Sequence, residues 1–177
     1  MKPLSFSAIR IGAGLALAAL VTTGSVAAAD LAPTTAPAAE TKISQSELDC
    51  LAKALYFEAR GEPAAGQRAV AEVILNRVDS PRYPSTVCGV VTQSGGGGCQ
   101  FSYQCSGQSL AIREKSAFNR VNRIALEALS GAPRDLTDGA THFHTRRVNP
   151  SWSRRFVRTA QIGHHIFYRQ GQRVAIR

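Results

Sequence analysis

The chain has 177 residues, is 44% hydrophobic, and carries 21 Lys and Arg against 12 Asp and Glu, a formal charge of +9. That composition excludes a chain too polar to build a core, and the cationic balance favours polyanionic partners. There is no zinc finger, RNP-like aromatic pair or helix-turn-helix pattern to make nucleic acid that polyanion.

Residues 1–29 have the three parts of an export signal. Lys2 and Arg10 lie in the n-region, an apolar run extends from Ile11 to Val21, and Ala27-Ala28-Ala29 precedes Asp30 as a small-residue cleavage site. The run is short for a bilayer span. A cleaved leader, leaving no stable membrane span, is therefore expected, with an uncleaved anchor as the alternative. Losing Lys2 and Arg10 lowers the charge of +9 by two, so the mature chain stays basic. Residues 30–43, rich in Ala, Pro and Thr without apolar periodicity, read as a flexible linker. One domain follows, from 44 to 172, with 173–177 as a basic tail.

The first helix of that domain has Ser46 as its expected N-cap and Leu48, Leu51, Ala52, Leu55, Tyr56 and Ala59 on one face. Glu58 falls at the edge of the face. A carboxyl partly buried there loses hydration, its pKa rises, and it is able to act as a general acid near neutrality. The plainer alternative is a solvated glutamate, or one paired with Arg60 or Lys53. Gly61 and Pro63 end the helix, and Glu62 between them reads as a first-turn acid for the next. That second helix is predicted from Pro63, at its first position, to Val78, with Ala69, Val70, Val73, Ile74 and Val78 inward. Asp79 to Thr86 reads as loop, followed by a short apolar piece, Val87 to Val91.

Ser94-Gly95-Gly96-Gly97-Gly98 reads as a mobile loop, and Cys99 to Tyr103 as a small hairpin or extended segment. A third helix is predicted from Ser116 to Ser130, stopped by Gly131. Ala140 to His144 and Ile166 to Tyr168 are short and β-prone. The fold class is α+β, helix-dominated, with a cleft where short strands meet a helix end.

Four cysteines in an exported domain point to two disulfides. Three pairings are open. Cys50 with Cys88 would tie the first helix to the segment after the second, and Cys99 with Cys105 would close a small loop; this pair is the expectation. A zinc site combining cysteines with some of His142, His144, His164 and His165 is the rival, without the short Cys-x-x-Cys spacing.

Cys50-Leu51-Ala52, Tyr56-Phe57-Glu58-Ala59-Arg60-Gly61-Glu62-Pro63, Gly66-Gln67 and Ile74-Leu75-Asn76-Arg77-Val78 together resemble the SleB-type cell wall hydrolases, which include the spore-cortex-lytic enzymes. The likeness continues through Tyr83-Pro84, Val87-Cys88-Gly89-Val90-Val91, Gly98-Cys99-Gln100-Phe101-Ser102, Gly139 to His144, Pro150 with Trp152, and Ile162-Gly163 with His165, Phe167 and Tyr168.

The resemblance implies a lysozyme-like fold with a small β hairpin or sheet lining the cleft. It also implies cleavage of the β-1,4 bond between N-acetylmuramic acid and N-acetylglucosamine. The catalytic acid is the first glutamate of the Glu-Ala-Arg-Gly-Glu motif, by position Glu58. No second carboxylate partner is evident, since Glu62 lies beyond a helix end and Asp135 and Asp138 are remote in sequence. A single acid then favours lytic transglycosylation, in which deprotonated Glu58 takes the proton of the muramoyl C6 hydroxyl; attack by water would instead give a muramidase.

Gln100 and Ser102 are expected to hydrogen-bond acetamido or ring oxygens, or else to satisfy a turn. His142 and Tyr168 are expected to touch sugar or orient Glu58, or else to be buried polar groups with local partners. Phe101 reads as core, and Trp152 as a sugar-stacking or core aromatic. No cofactor or metal is expected. The expected partners are peptidoglycan glycan strands, and the expected location is the periplasm or cell wall. The competing readings are a catalytically silent wall-binding or scaffolding domain and a zinc amidase built from the histidines.

Overall fold

The computed structural model describes residues 43–95 and 98–171. The expected leader, nearly all of the expected linker, the basic tail and Gly96-Gly97 lie outside the described residues.

The first helix, α1 (Gln45–Ala59), buries Leu48, Leu51, Ala52, Ala54, Leu55, Tyr56 and Ala59. The predicted periodicity therefore holds, but the cap does not. Ser44 occupies the N-cap, and its hydroxyl bonds that of Ser46 at 2.8 Å instead of a backbone amide. α2 (Ala64–Val78) starts one residue later than predicted, with Pro63 at the N-cap in an extended conformation (ψ 158°). The apolar piece after it is a short helix, α3 (Val87–Thr92). Its first turn is closed from two directions. Thr86 Oγ1 accepts from Gly89 N at 3.0 Å, and Glu47 on α1 accepts from Val87 N at 2.6 Å.

α4 (Lys115–Leu129) packs on both α1 and α2, and α3 packs on the same two helices. Val121, Ile124 and Ala125 carry the α4 contribution to the core. Cys50–Cys88 staples α1 to α3, and Cys99–Cys105 closes the small loop, as expected from the spacing. All four cysteines are thereby consumed, which overturns the zinc alternative that used them.

The glycine segment is a ladder, not only a loop. β1 (Ser94–Gly95) pairs antiparallel with β2 (Gly98–Cys99), and Gln100 N donates to Gln93 O at 3.0 Å below the pair. The strand stops there. Ser102–Gln104 forms a turn of 3-10 helix where extended structure was expected, with Phe101 buried just before it.

The second sheet has the order β3-β5-β4, from β3 (His142–Thr145), β4 (Val157–Ile162) and β5 (His165–Arg169), all antiparallel. β4 was missed in the sequence because its face is largely solvated and two arginine-rich turns precede it. Its residues lack the continuous apolar run that marked β5. Pairing of His142 with Tyr168 and Phe143 with Phe167 gives the sheet two faces. Phe167 is fully buried toward the helices, and His142 and Tyr168 share the opposite face.

Two buried glutamates fasten this sheet to the helices. Glu72 on α2 accepts from Leu136 N, Thr137 N and Thr137 Oγ1 at 3.1, 3.0 and 2.8 Å, fixing the loop that leads into β3. Glu62, at the α1–α2 corner, accepts from His164 N at 2.9 Å and contacts His164 Nδ1 at 3.1 Å in the β4–β5 turn. Glu62 is thus a tertiary tie and not simply a first-turn acid. The turn comes so near that a Cβ on Gly163, whose φ is +59°, would lie 1.9 Å from Glu62 Oε2.

Gly163→Ala should therefore cost about 2–4 kcal/mol, from left-handed backbone strain and loss of the Glu62 bonds. Gly95→Ala, with open space around it, should stay within about 0.5 kcal/mol. Urea unfolding of the two variants provides the comparison.

Candidate active site

Glu58 lies in the last turn of α1, between the buried Leu55 and Ala59 and the open side of the helix. Its Oε1 is inaccessible to solvent and has no hydrogen-bond partner among the described residues. Burial raises the carboxyl from 4.5 to about 6, opposed in part by the backbone amide of Ser102. The alternative pairing with Arg60 or Lys53 does not occur among the described residues. Arg60 turns away, with Nε on Glu114 Oε1 at 3.0 Å and Nη1 donating to Tyr56 O at 3.3 Å. A half-buried acid with one free oxygen is equipped to hold a proton near neutrality and release it to a bound oxygen.

The Ser102–Gln104 turn faces this carboxyl. Tyr103 is buried and stacks on Phe57 at 4.7 Å. Burial, and the nearby negative charge of Glu58, push its hydroxyl up to about 12 against the hydrogen bond from Gln104. Tyr103 therefore remains a neutral phenol. Ser102 and Tyr103 also line a cleft of about 500 Å³ together with Tyr56, Phe57, Arg60 and the segment from Gln108 to Glu114. A second hollow of about 210 Å³ shares Phe57 and Tyr103 and extends toward Leu110. The stacked pair thus borders two adjoining spaces; Glu58 itself lines neither, and it meets the first through the Ser102 amide on the cleft wall. Gln100 is exposed after β2, held by its backbone bond to Gln93.

His142 and Tyr168 occupy the outer face of the second sheet. His142 lies 5.1 Å from Trp152 and 4.7 Å from Phe156, ring to ring, and its Nδ1 is 3.0 Å from Thr141 Oγ1. Burial first, and then the Arg77 charge, lower its pKa to about 4, so the ring is neutral across the physiological range. Tyr168 stacks on His144 at 5.2 Å, and its hydroxyl shares a 3.1 Å hydrogen bond with His144 Nε2. These two residues thus have local partners, and Trp152 belongs to their aromatic cluster.

Arg77 links that cluster to the turn beside Glu58. It is only 4% exposed. Its Nε donates to Thr141 O at 2.7 Å, and the guanidinium lies 5.3 Å from the Tyr83 ring and 5.5 Å from the Phe101 ring. In the sequence, Arg77 stands out only as part of Ile74-Leu75-Asn76-Arg77-Val78. A charged residue on the apolar α2 face, at helical spacing from Val70, Val73 and Ile74, was the available signal. Tyr103, Arg60 and the 107–114 segment were not anticipated, since only the tertiary fold brings them to α1.

The sign of the Glu58 shift fixes a stability effect. The folded value, about 6, exceeds the unfolded value, 4.5, so ionisation opposes folding. Relative stability is full below pH 4.5 and falls as pH rises through about 6, by roughly 2 kcal/mol. Glu58→Gln should therefore be more stable than the parent chain at pH 7.5 by roughly 1–2 kcal/mol, with the difference shrinking at pH 4. Denaturant midpoints at the two pH values measure this.

The cell wall hydrolase family profile matches residues 61–168, beginning just after Glu58. A spore cortex-lytic enzyme of Halalkalibacterium halodurans is 38% identical over 127 residues, covering 70% of this chain and 35% of the relative. Its counterpart in Bacillus subtilis strain 168 is 35% identical over 127 residues, covering 70% of this chain and 38% of the relative. The chain thus matches well under half the length of these relatives. Among solved structures, the catalytic domain of the germination-specific lytic transglycosylase SleB from Bacillus anthracis superposes with a TM-score of 0.59 at 34% identity, covering 73% of this chain and 98% of that domain. The catalytic domain of the Bacillus cereus SleB protein gives the same TM-score of 0.59 over 94% of its length. Helix-dominated architecture, family profile and sequence identity agree: the chain belongs to the cell wall hydrolase family.

Proposed function

We propose that this protein is an exported peptidoglycan glycosidase that cleaves the β-1,4 bond between N-acetylmuramic acid and N-acetylglucosamine, with Glu58 as its acid. The observation that carries this reading is the half-buried Glu58 carboxyl, with a pKa raised to about 6 and an unpartnered oxygen, beside a cleft wall. Membership of the cell wall hydrolase family supports the substrate class. The two disulfides fit an oxidising compartment such as the periplasm or cell wall.

The proposed mechanism uses one carboxyl twice. Protonated Glu58 gives its proton to the glycosidic oxygen as the bond to the muramoyl C1 breaks, and the oxocarbenium-like centre develops. The resulting carboxylate then accepts the proton of the muramoyl C6 hydroxyl while that oxygen bonds to C1. The products are a 1,6-anhydromuramoyl end and a strand ending in a free N-acetylglucosamine hydroxyl. Glu58 finishes protonated, ready for another turnover.

The state of the other acids supports a single-acid scheme. Glu62 is engaged by His164, Glu72 by Thr137 and Leu136, and Glu114 by Arg60. Asp138 is exposed beside Arg169. Ser102 at the cleft wall is assigned a hydrogen bond to the substrate, and Gln100 a contact at its outer edge. His142 and Tyr168, with Trp152, are assigned to an aromatic platform for sugar.

Incubation of the full chain with purified sacculi, followed by mass spectrometry of the released muropeptides, is expected to show anhydromuramoyl ends. Reducing muramic acid ends would assign hydrolysis by water instead. Absence of release would favour a binding or scaffolding domain. Glu58→Gln should lower the rate by about 10²–10⁴-fold. Activity should also fall as pH rises through about 6 in the substrate-free limit, because the acid must begin protonated.

A further inference from the structure

The segment 107–113 is neither helix nor strand, yet it is fastened at both ends. Cys105 before it is bonded to Cys99, and Glu114 after it donates its backbone N–H to Tyr56 Oη at 3.1 Å. Between these anchors, residues 107–113 make no backbone–backbone hydrogen bond among the described residues. Two of the amides, of Gln108 and Ala111, reach only serine hydroxyls at 3.4 and 3.3 Å. A backbone with open donors and acceptors along a cleft is suited to hydrogen-bonding the backbone of another peptide.

The charges around the same cleft define the sign of that peptide. Arg60 and Arg113 line it, against one carboxylate, Glu114. Glu114 is already engaged by the Arg60 Nε. Arg113 makes no ion pair or side-chain hydrogen bond among the described residues, so its guanidinium is available to a ligand. Position supplies the third argument. Ser102 and Tyr103 line the cleft; the Ser102 amide reaches the Glu58 carboxyl, and Tyr103 follows it in the same turn. In peptidoglycan the muramoyl sugar, whose C1 reacts, bears a short acidic peptide on its lactyl group. That peptide must leave the reacting sugar within a few bonds of the acid.

We propose that the cleft between Phe57, Arg60, Tyr103 and the 107–113 segment is a subsite for this stem peptide, with Arg113 binding a peptide carboxylate. The subsite rests on the reading of the protein as a peptidoglycan glycosidase, and it adds recognition of the peptide to recognition of the glycan. A strand carrying intact stem peptides is then bound more tightly than a stripped one. Added salt weakens that preference, because the contact is made by exposed charge.

The test is a binding comparison with the full chain carrying Glu58→Gln, so that ligands stay intact. Two soluble ligands are titrated by calorimetry: the disaccharide with its stem peptide and the disaccharide with the peptide removed. The peptide-bearing ligand should bind about tenfold more tightly, and adding Arg113→Glu should abolish most of the difference. Arg113→Lys should retain part of it, since a cation remains. Equal binding of the two ligands, binding of neither, or an advantage that survives Arg113→Glu would each overturn the subsite. Cleavage of sacculi by the parent chain is read separately, so a chain that prefers the peptide without cutting the glycan would lose the glycosidase reading and keep this one.

Discussion

Helix α1 is enclosed by three other helices, and the rest of the domain is arranged around that burial. Leu51, Ala52, Ala54 and Leu55 have no exposed surface, and α2, α3 and α4 all pack against the helix that carries them. Only a narrow strip through Asp49 and Lys53 stays open, continuing along Phe57 to Arg60. The burial of each of the two leucines contributes about 1.5–3 kcal/mol. Because the strip follows the helical repeat, its position is set once the apolar face is set. Glu58 is left at the boundary between the enclosed face and the strip.

That boundary is where a carboxyl has the properties required of an acid. A fully buried one would ionise only with difficulty and would not meet a ligand, while a solvated one would be ionised at neutral pH. The turn at Ser102–Gln104 completes the environment from outside the helix. Tyr103 stacks on Phe57 beside the acid, and the Ser102 amide limits the rise in its pKa. The turn is held in place by Phe101 in the core, by the Cys99–Cys105 bond and by Arg77, which packs against the Phe101 ring. Desolvation at one group is therefore maintained by contacts spread over half the chain.

Glu62 and Glu72 do different work. Glu62 and Glu72 are about as buried as core residues, and each is surrounded by donors from a distant segment. Both hold the second sheet against the helices, Glu62 at the β4–β5 turn and Glu72 at the approach to β3. A buried carboxylate with satisfied oxygens is a structural fastener, because removing it would strand the donors. A buried carboxyl with a free oxygen is available for chemistry. The contrast between Glu58 and these neighbours depends on hydrogen bonding more than on depth.

Helix existence was legible in the sequence because apolar spacing is a local property of the chain. The faces of α1, α2 and α4 follow from it, as does the corner at Gly61-Glu62-Pro63. Disulfide pairing was narrowed by separation along the chain, and the resemblance of many ordered motifs to one family drew attention to Glu58. β4 was not legible, since an exposed strand with Arg158 and Gln161 on its surface lacks an apolar signature. Nor was the hydrogen bonding that separates Glu58 from Glu62 and Glu72, because the donors to Glu62 and Glu72 come from segments distant along the chain. Tertiary structure decided which of them meets donors and which keeps an unpartnered oxygen. The sequence determined where the reactive carboxyl sits on its helix; long-range contacts, through desolvation and hydrogen bonding, determined what that position is able to do.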